Sequence, residues 1–234
     1  MSGTKATWLE AFAQSRGRAF LRFDYTGHGA SSGRFEEGCI GDWARDAADV
    51  LAHLTEGPQV LVGSSMGGWI ALLLARRHPE RVAGLVGIAA APDFTDELMW
   101  PGFSEAERAT LLRDGRLEQP NAYGPEPRVL TRRLIEDGRE QRVLAASLAL
   151  ACPVRLVQGT ADPDVPVSLA MKLMAHLQAP QVVLSLVRDG DHRLSDPASL
   201  ALIGEAVEAV IEARRARRVR PCLRAALWAE SGRP

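Results

Sequence analysis

Three well-separated side chains carry the residue types of one reaction. Ser65 sits in Gly63-Ser64-Ser65-Met66-Gly67, Asp162 in Gly159-Thr160-Ala161-Asp162-Pro163-Asp164-Val165-Pro166, and His192 at the end of Arg188-Asp189-Gly190-Asp191-His192. A serine hydroxyl is a weak nucleophile near neutral pH. It becomes useful when an imidazole takes its proton and a carboxylate holds that imidazole in the right tautomer and orientation. Such a set transfers an acyl group from an ester, thioester or amide to serine and then to water. The serine pentapeptide follows the apolar run Val60-Leu61-Val62 and opens a second apolar stretch from Trp69 to Ala75. It reads as strand, sharp turn, helix, a turn that strains the serine backbone and lifts the hydroxyl above the end of a sheet. Gly63 and Gly67 leave room for strand and helix to approach closely.

Each of these residues also has a plainer reading. Ser65 suits a helix N-cap, and Asp162 suits a turn between Gly and Pro, with Asp164 an equal candidate for the orienting acid. Asp162 is favoured because it lies closer to the strand end. Asp189 and Asp191 read as loop carboxylates. His53, His78 and His176 fall in helical patterns, where His78 near a helix end suits the dipole. His28 is a closer competitor, since Asp24-Tyr25-Thr26-Gly27-His28-Gly29 also follows a strand-like run.

The elements that must position these groups alternate along the chain. Strand-like segments are expected at 18–24, 59–63, 82–90, 153–158 and 181–187, and helices at 41–55, 66–77, 166–178 and 197–216. Helical period supports the helices: Trp43, Ala47, Val50, Leu51 and Leu54 share one stripe, as do Leu200, Ile203, Val207 and Val210. Strand–helix alternation implies a parallel sheet with helices on both faces. Ser65, Asp162 and His192 then all follow carboxyl ends of strands, where open α/β sheets place their ligands.

On Arg22 to Gly33, Val62 to Trp69, Gly159 to Pro166 and Asp189 to Leu194, the chain resembles the α/β-hydrolase fold over about residues 2 to 212. Within that superfamily it is similar to the small serine hydrolases that act as palmitoyl-protein thioesterases or acyl-glucuronide esterases, and to their bacterial relatives. The order serine, acid, histidine is the one this fold uses, and only His192 among the competing histidines comes last. The resemblance implies Ser65 as nucleophile, His192 as general acid/base, Asp162 as its orienting acid, and the backbone N–H of Met66 as one oxyanion donor.

The second donor of such a fold comes from the loop just before its first helix. Here a helix follows Met1-Ser2-Gly3-Thr4-Lys5 almost at once, with Trp8 and Phe12 four residues apart on it. The resemblance implies a further strand between the one ending at Asp24 and the one ending at Gly63, so N-terminal strands are missing. The gap would leave unpaired backbone groups, each costing about 1–3 kcal/mol when buried. Two outcomes are open: the flanking strands pair directly, or the natural polypeptide starts upstream of Met1. The second is the expectation.

Composition bounds the remaining classes. With 234 residues, 46% of them hydrophobic, the chain can bury a sizeable core. Its 28 basic and 29 acidic side chains give no global field to draw in nucleic acid. Cys39, Cys152 and Cys222 have no zinc or disulfide spacing and suit a reducing, cytoplasmic compartment. No membrane-spanning run, signal peptide, metal or cofactor is expected, and the oligomeric state stays open.

The expected organisation is a hydrolase core over 1–91 and 152–212, a cap insertion over 92–151 and a basic tail over 213–234. Phe94, Leu98, Met99, Trp100 and Phe103 form an apolar patch in the insertion, either an acyl-binding wall, with Phe94, Met99 and Trp100 as substrate-binding residues, or ordinary packing. Arg113, Arg116, Arg128, Arg132 and Arg133 read as a solvated face or as partners for an acidic substrate tail. The tail, with Arg214, Arg215, Arg217, Arg218 and Arg220 ahead of Leu223, Leu227 and Trp228, is an interaction tail, an interfacial helix or a frayed extension. The functional expectation is a serine esterase or thioesterase acting on a small acyl ester or thioester. A peptidase of the same fold and a catalytically impaired binding protein are the alternatives.

Overall fold

The computed structural model describes residues 2–120 and 127–219, with side-chain environments through Ala216. In chain order the elements are α1 (Thr4–Ser15), α2 (Ile40–His53), β1 (Gln59–Ser64), α3 (Met66–Arg77), β2 (Val82–Ile88), a π-helical turn (Thr95–Met99), the short α4 (Trp100–Gly102), α5 (Glu105–Asp114), β3 (Arg116–Gln119), β4 (Arg128–Thr131), α6 (Arg132–Glu140), β5 (Leu148–Ala149), β6 (Val154–Gly159), α7 (Val167–His176), β7 (Leu177–Gln178), β8 (Val182–Val187) and α8 (Pro197–Val219). The central sheet is β1-β2-β6-β8, every pair parallel. Parallel neighbours need crossovers, and α3 and α7 supply those between β1 and β2 and between β6 and β8.

Burial on both faces explains why β2 is an unbroken apolar run, Val-Ala-Gly-Leu-Val-Gly-Ile, buried along its whole length. One face packs under α2, α3 and α7 around Trp43, Trp69, Leu73 and Leu173; the other packs under α1 and α8 around Leu9, Ile203 and Val210. The stripes expected on α2 and α8 largely form this contact. Leu54 does not: it follows the last turn of α2 and is 64% exposed. Caps fix several boundaries. Ser104 and Glu107 make a reciprocal capping box on α5, Thr131 accepts the Leu134 N–H at the start of α6, and Asp196 accepts the N–H groups of Ala198 and Ser199 ahead of α8.

Residues 18–24 correct one expectation. They form no strand, and among the described residues β1 pairs on one side only, with β2. The segment keeps the directions of an extended chain, with Phe20 against the α1/α8 core and Phe23 and Tyr25 against the other. A ladder requires a partner within hydrogen-bonding distance, and local propensity does not supply one. Side chains hold the segment from both ends instead: Arg18 makes two bonds of 2.6 and 2.7 Å to Glu208 on α8, and the Thr26 N–H donates to Asp46 on α2 at 2.8 Å.

Two further features differ from the sequence reading. The antiparallel pair β3/β4 lies in the arginine-rich part of the insertion, where no strand is expected, and α8 runs on to Val219, past the expected helix end at 216 and into the segment read as a tail. The last residues of the tail, 220–234, with Cys222 and Trp228, lie outside the described residues. No described helix is long and apolar enough to cross a membrane.

Candidate active site

The turn between β1 and α3 places Ser65 at φ 54°, ψ −121°, a region that L-residues avoid unless their surroundings impose it. The surroundings do so. The Ser65 N–H donates to Ile88 O at 2.9 Å, and Ser65 O accepts from Gly68 N at 2.9 Å and Ala91 N at 3.1 Å, which pins the turn to the end of β2. Close packing completes the constraint: a Cβ on Gly63 would lie 2.2 Å from Gly67 O, and one on Gly68 would lie 2.6 Å from the Ala90 Cβ. Met66 opens α3, so its N–H has no intrahelical acceptor and faces the end of the helix that attracts negative charge.

β6 and β8 deliver the other two side chains to the same sheet edge. His192 Nε2 lies 3.1 Å from Ser65 Oγ, and His192 Nδ1 lies 2.8 Å from Asp162 Oδ2. Asp162 also accepts the N–H groups of Asp164 and Val165 at 2.8 Å each and the Gln158 side-chain amide at 3.0 Å. Its side chain is fully buried while that of His192 is 20% exposed. Burial pushes the Asp162 carboxyl toward its neutral form. The Val165 N–H, His192 and the Asp164 N–H together overcome this and hold it below the ordinary value of 3.8. The site therefore contains a carboxylate that stays charged, an imidazole whose outer nitrogen faces a hydroxyl, and a hydroxyl on a strained turn. That set suits proton transfer from serine to histidine.

Asp164 is exposed; its backbone N–H donates to Asp162, and a carboxylate oxygen of Asp164 lies within 4.8 Å of donor atoms of Asp162 and His192. Asp162, Asp164 and His192 have donor atoms close enough together for a metal ion, but the Nδ1 and N–H bonds to Asp162 already occupy the geometry a cation would use. His28 belongs to an aromatic cluster with Tyr25, Phe35 and Trp43, and its Nδ1 lies 3.2 Å from Thr26 O.

Residues 3–134, more than half of the chain, match the model of a family described as alpha/beta hydrolase fold. The chain belongs to the α/β-hydrolase family. It is 35% identical over 206 residues to the palmitoyl-protein thioesterase ABHD10, mitochondrial, of Mus musculus, a match covering 87% of this chain and 68% of the mouse protein. It is 31% identical over 191 residues to the pimeloyl-[acyl-carrier protein] methyl ester esterase of Chromobacterium violaceum, covering 69% of this chain and 71% of that protein. A solved structure of an Agrobacterium vitis S4 protein superimposes with a TM-score of 0.86 at 49% identity, covering 90% of this chain and 83% of that one.

Within this hydrolase fold, the apolar residues of the insertion pack against one another and against the main core. Phe94 meets the Trp69 ring edge-on at 5.3 Å, and Trp100 is held between Arg139 at 4.6 Å and Arg108 at 5.4 Å. Phe94, Met99 and Trp100 are partly buried against the main core, and none lines the cavity of about 990 Å³ that opens at Ser65. The arginines of the insertion mostly have local partners: Arg113 with Asp114, Arg116 with Glu118, Arg132 with Glu136 and Arg133 with Asp42.

Sequence reasoning passed over four residues that organise the hydrolase site. Gln158 is 1% exposed, and its amide bridges Asp162 and Val165 O; a polar residue ending an apolar strand is the signal that marks it. Asp93, buried at φ 53°, accepts the N–H groups of Val143 and Leu144 and so ties the chain after β2 to the far end of the insertion. Burial raises its pKa against the pull of those two bonds. Lys5 donates to Arg193 O beside His192, and burial lowers its pKa. Tyr25 lines the cavity beside Ser65, and burial pushes its phenol up to about 12.

Proposed function

We propose that this chain is a serine hydrolase that cleaves carboxylic esters or thioesters through an acyl-Ser65 intermediate. The reading rests on the continuous chain of contacts from Ser65 Oγ through the two ring nitrogens of His192 to Asp162. Ser65 Oγ attacks the acyl carbon while His192 Nε2 takes its proton. The tetrahedral intermediate then collapses, the bond to the leaving oxygen or sulfur breaks, and His192 returns the proton to that atom. A water molecule repeats the sequence on the acyl-serine, giving up one proton to His192 and releasing the acid, and Ser65 recovers its own. Asp162 stays ionised and holds the imidazole; the Met66 N–H donates a hydrogen bond to the carbonyl oxygen as negative charge develops on it.

Esters and thioesters are the substrates named for the mouse and Chromobacterium relatives, and both present the same electrophile to the serine. Phe94, Met99 and Trp100 are proposed to form the acyl-side wall when the insertion over 92–151 meets a bound substrate. The rest of the division is proposed as well: core over 1–91 and 152–212, basic tail over 213–234. The buried free thiols of Cys39 and Cys152 fit a reducing compartment such as the cytoplasm; the mitochondrial location belongs to the names of the mammalian relatives.

A second reading, a hydrolase-fold binding protein with little turnover, draws on the open flank of β1 beside Ser65, because a missing oxyanion donor costs about 10²- to 10³-fold in rate. Turnover of p-nitrophenyl esters and acyl thioesters of graded length, with Ser65→Ala as control, separates the two. The parent should hydrolyse at least one series, and Ser65→Ala should lower kcat by up to about 10⁶-fold. Equal rates in parent and variant would refute the nucleophile.

A further inference from the structure

Four hydrogen bonds converge on the Asp162 carboxylate and divide evenly between its two oxygens. Oδ1 accepts the backbone N–H groups of Asp164 and Val165 at 2.8 Å each. Oδ2 accepts from His192 Nδ1 at 2.8 Å and from the Gln158 side-chain amide at 3.0 Å. An ionised carboxylate has about four lone-pair sites, so these donors fill it. Gln158 is the donor that shares an oxygen with the imidazole.

The glutamine reaches this place from the penultimate position of β6, in a stretch that is buried from Leu156 to Gly159. Its Nε2 also lies 2.9 Å from Val165 O and 3.2 Å from Gly159 O. Every neighbour of that nitrogen is an acceptor, which settles the orientation of the amide: turned over, it would press its own oxygen against theirs. Gln158 Oε1 is buried with no hydrogen-bond partner among the described residues. An unpaired buried acceptor costs about 1–3 kcal/mol. An apolar side chain of the same volume would avoid that cost, but it would leave Asp162 Oδ2 and Val165 O one bond short. The choice of glutamine therefore turns on what its amide does for Asp162. Rotation of a carboxyl group about its last torsion is soft, and bonds to Oδ1 alone leave Oδ2 free to swing away from Nδ1. A second donor on Oδ2 restrains that swing.

We propose that Gln158 is a positioning residue for the reaction at Ser65: by holding Asp162 Oδ2 on His192 Nδ1, it keeps the imidazole in the tautomer and orientation that take the serine proton. This role rests on the hydrolase reading.

A double-mutant cycle on kcat for a p-nitrophenyl ester tests it, using the parent, Gln158→Met, Asp162→Asn and the double variant. Gln158→Met keeps the side-chain volume and removes the donor. In the parent background it should lower kcat by about 10- to 10²-fold with KM within about twofold. In the Asp162→Asn background, where the imidazole has already lost its carboxylate, the same change should cost less than about twofold. A loss of equal size in both backgrounds, or none in the parent, overturns the role, because loop packing acts whether or not residue 162 is charged. Gln158→Glu gives a second reading that does not depend on whether the Met variant folds. At low pH the introduced carboxyl is protonated and can donate to Asp162; as it ionises it repels that carboxylate and donates nothing. Its kcat relative to the parent should fall by at least about tenfold from about pH 5 to pH 8, and a ratio constant with pH overturns the role. Ser65→Ala, run alongside, keeps the two levels apart. Ser65-dependent turnover that is insensitive to both Gln158 changes defeats only the positioning role, whereas a parent without Ser65-dependent turnover defeats the hydrolase reading and the role with it.

Discussion

The two flanks of β1 differ sharply. Toward β2 the strand is hydrogen-bonded along its length, and the ordered edge continues through β6 and β8 to Asp162 and His192. Toward residues 18–25 it meets a cavity. The serine stands where the two flanks join. The groups in line with its hydroxyl, His192 and behind it Asp162 and Gln158, come from the closed flank. In the proposed mechanism the proton relay draws on the loops after β6 and β8, whereas the Met66 N–H is set by the turn between β1 and α3.

The largest way to break this comparison acts on the closed flank. Asp162→Asn replaces a charged acceptor with an amide that can present its N–H to His192 Nδ1 and favour the wrong tautomer, so kcat toward a p-nitrophenyl ester should fall by about 10⁴-fold with KM little changed. A fall below about tenfold would mean that another group orients the imidazole, Asp164 being the nearest.

A smaller effect sharpens the contrast between the flanks directly. Leu85 on β2 is 1% exposed, while Leu61 on β1 is only partly buried beside the cavity. Leu85→Ala should cost about 2–5 kcal/mol by urea denaturation, whereas Leu61→Ala, which removes contacts from a side chain already short of neighbours, should cost less than half as much. Equal losses would indicate that the cavity along β1 is filled in solution.

The smallest expected effect is on acid stability. Asp162 ionises at a lower pH in the folded chain than its ordinary 3.8. Its ionisation therefore stabilises the fold above about pH 4, and that contribution is lost as the pH falls through the folded pKa. The decline of Tm between pH 5 and pH 3 should be shallower in Asp162→Asn than in the parent. A steeper decline would reverse the sign argued here.

Much of this was legible in the sequence because it is local. The apolar run ending in Gly63-Ser64-Ser65-Met66-Gly67 encodes its own turn, since the glycines admit the close approach and the flanks encode strand and helix. Asp162 and His192 could be placed at the same edge because each follows its own strand-like run. The acid could be chosen over Asp164 from its position at the strand end. What escaped depends on partners distant in sequence. Residues 18–24 have strand propensity without a strand to pair with. Gln158 looks like an interruption until Asp162 folds back onto it. Asp93 gains its role from Val143 and Leu144, fifty residues on, and the β3/β4 hairpin forms in a charged stretch whose pairing its composition does not announce.

The central claim is that His192 and Asp162 activate the Ser65 hydroxyl. Labelling with a fluorophosphonate probe, followed by peptide mapping, tests it most directly, because phosphonylation requires an activated oxygen but no particular acyl group. The account expects a single adduct on the peptide containing Ser65, abolished in Ser65→Ala and slowed at least about 10²-fold in His192→Ala. Labelling elsewhere, or at Ser65 at an unchanged rate without His192, would contradict it.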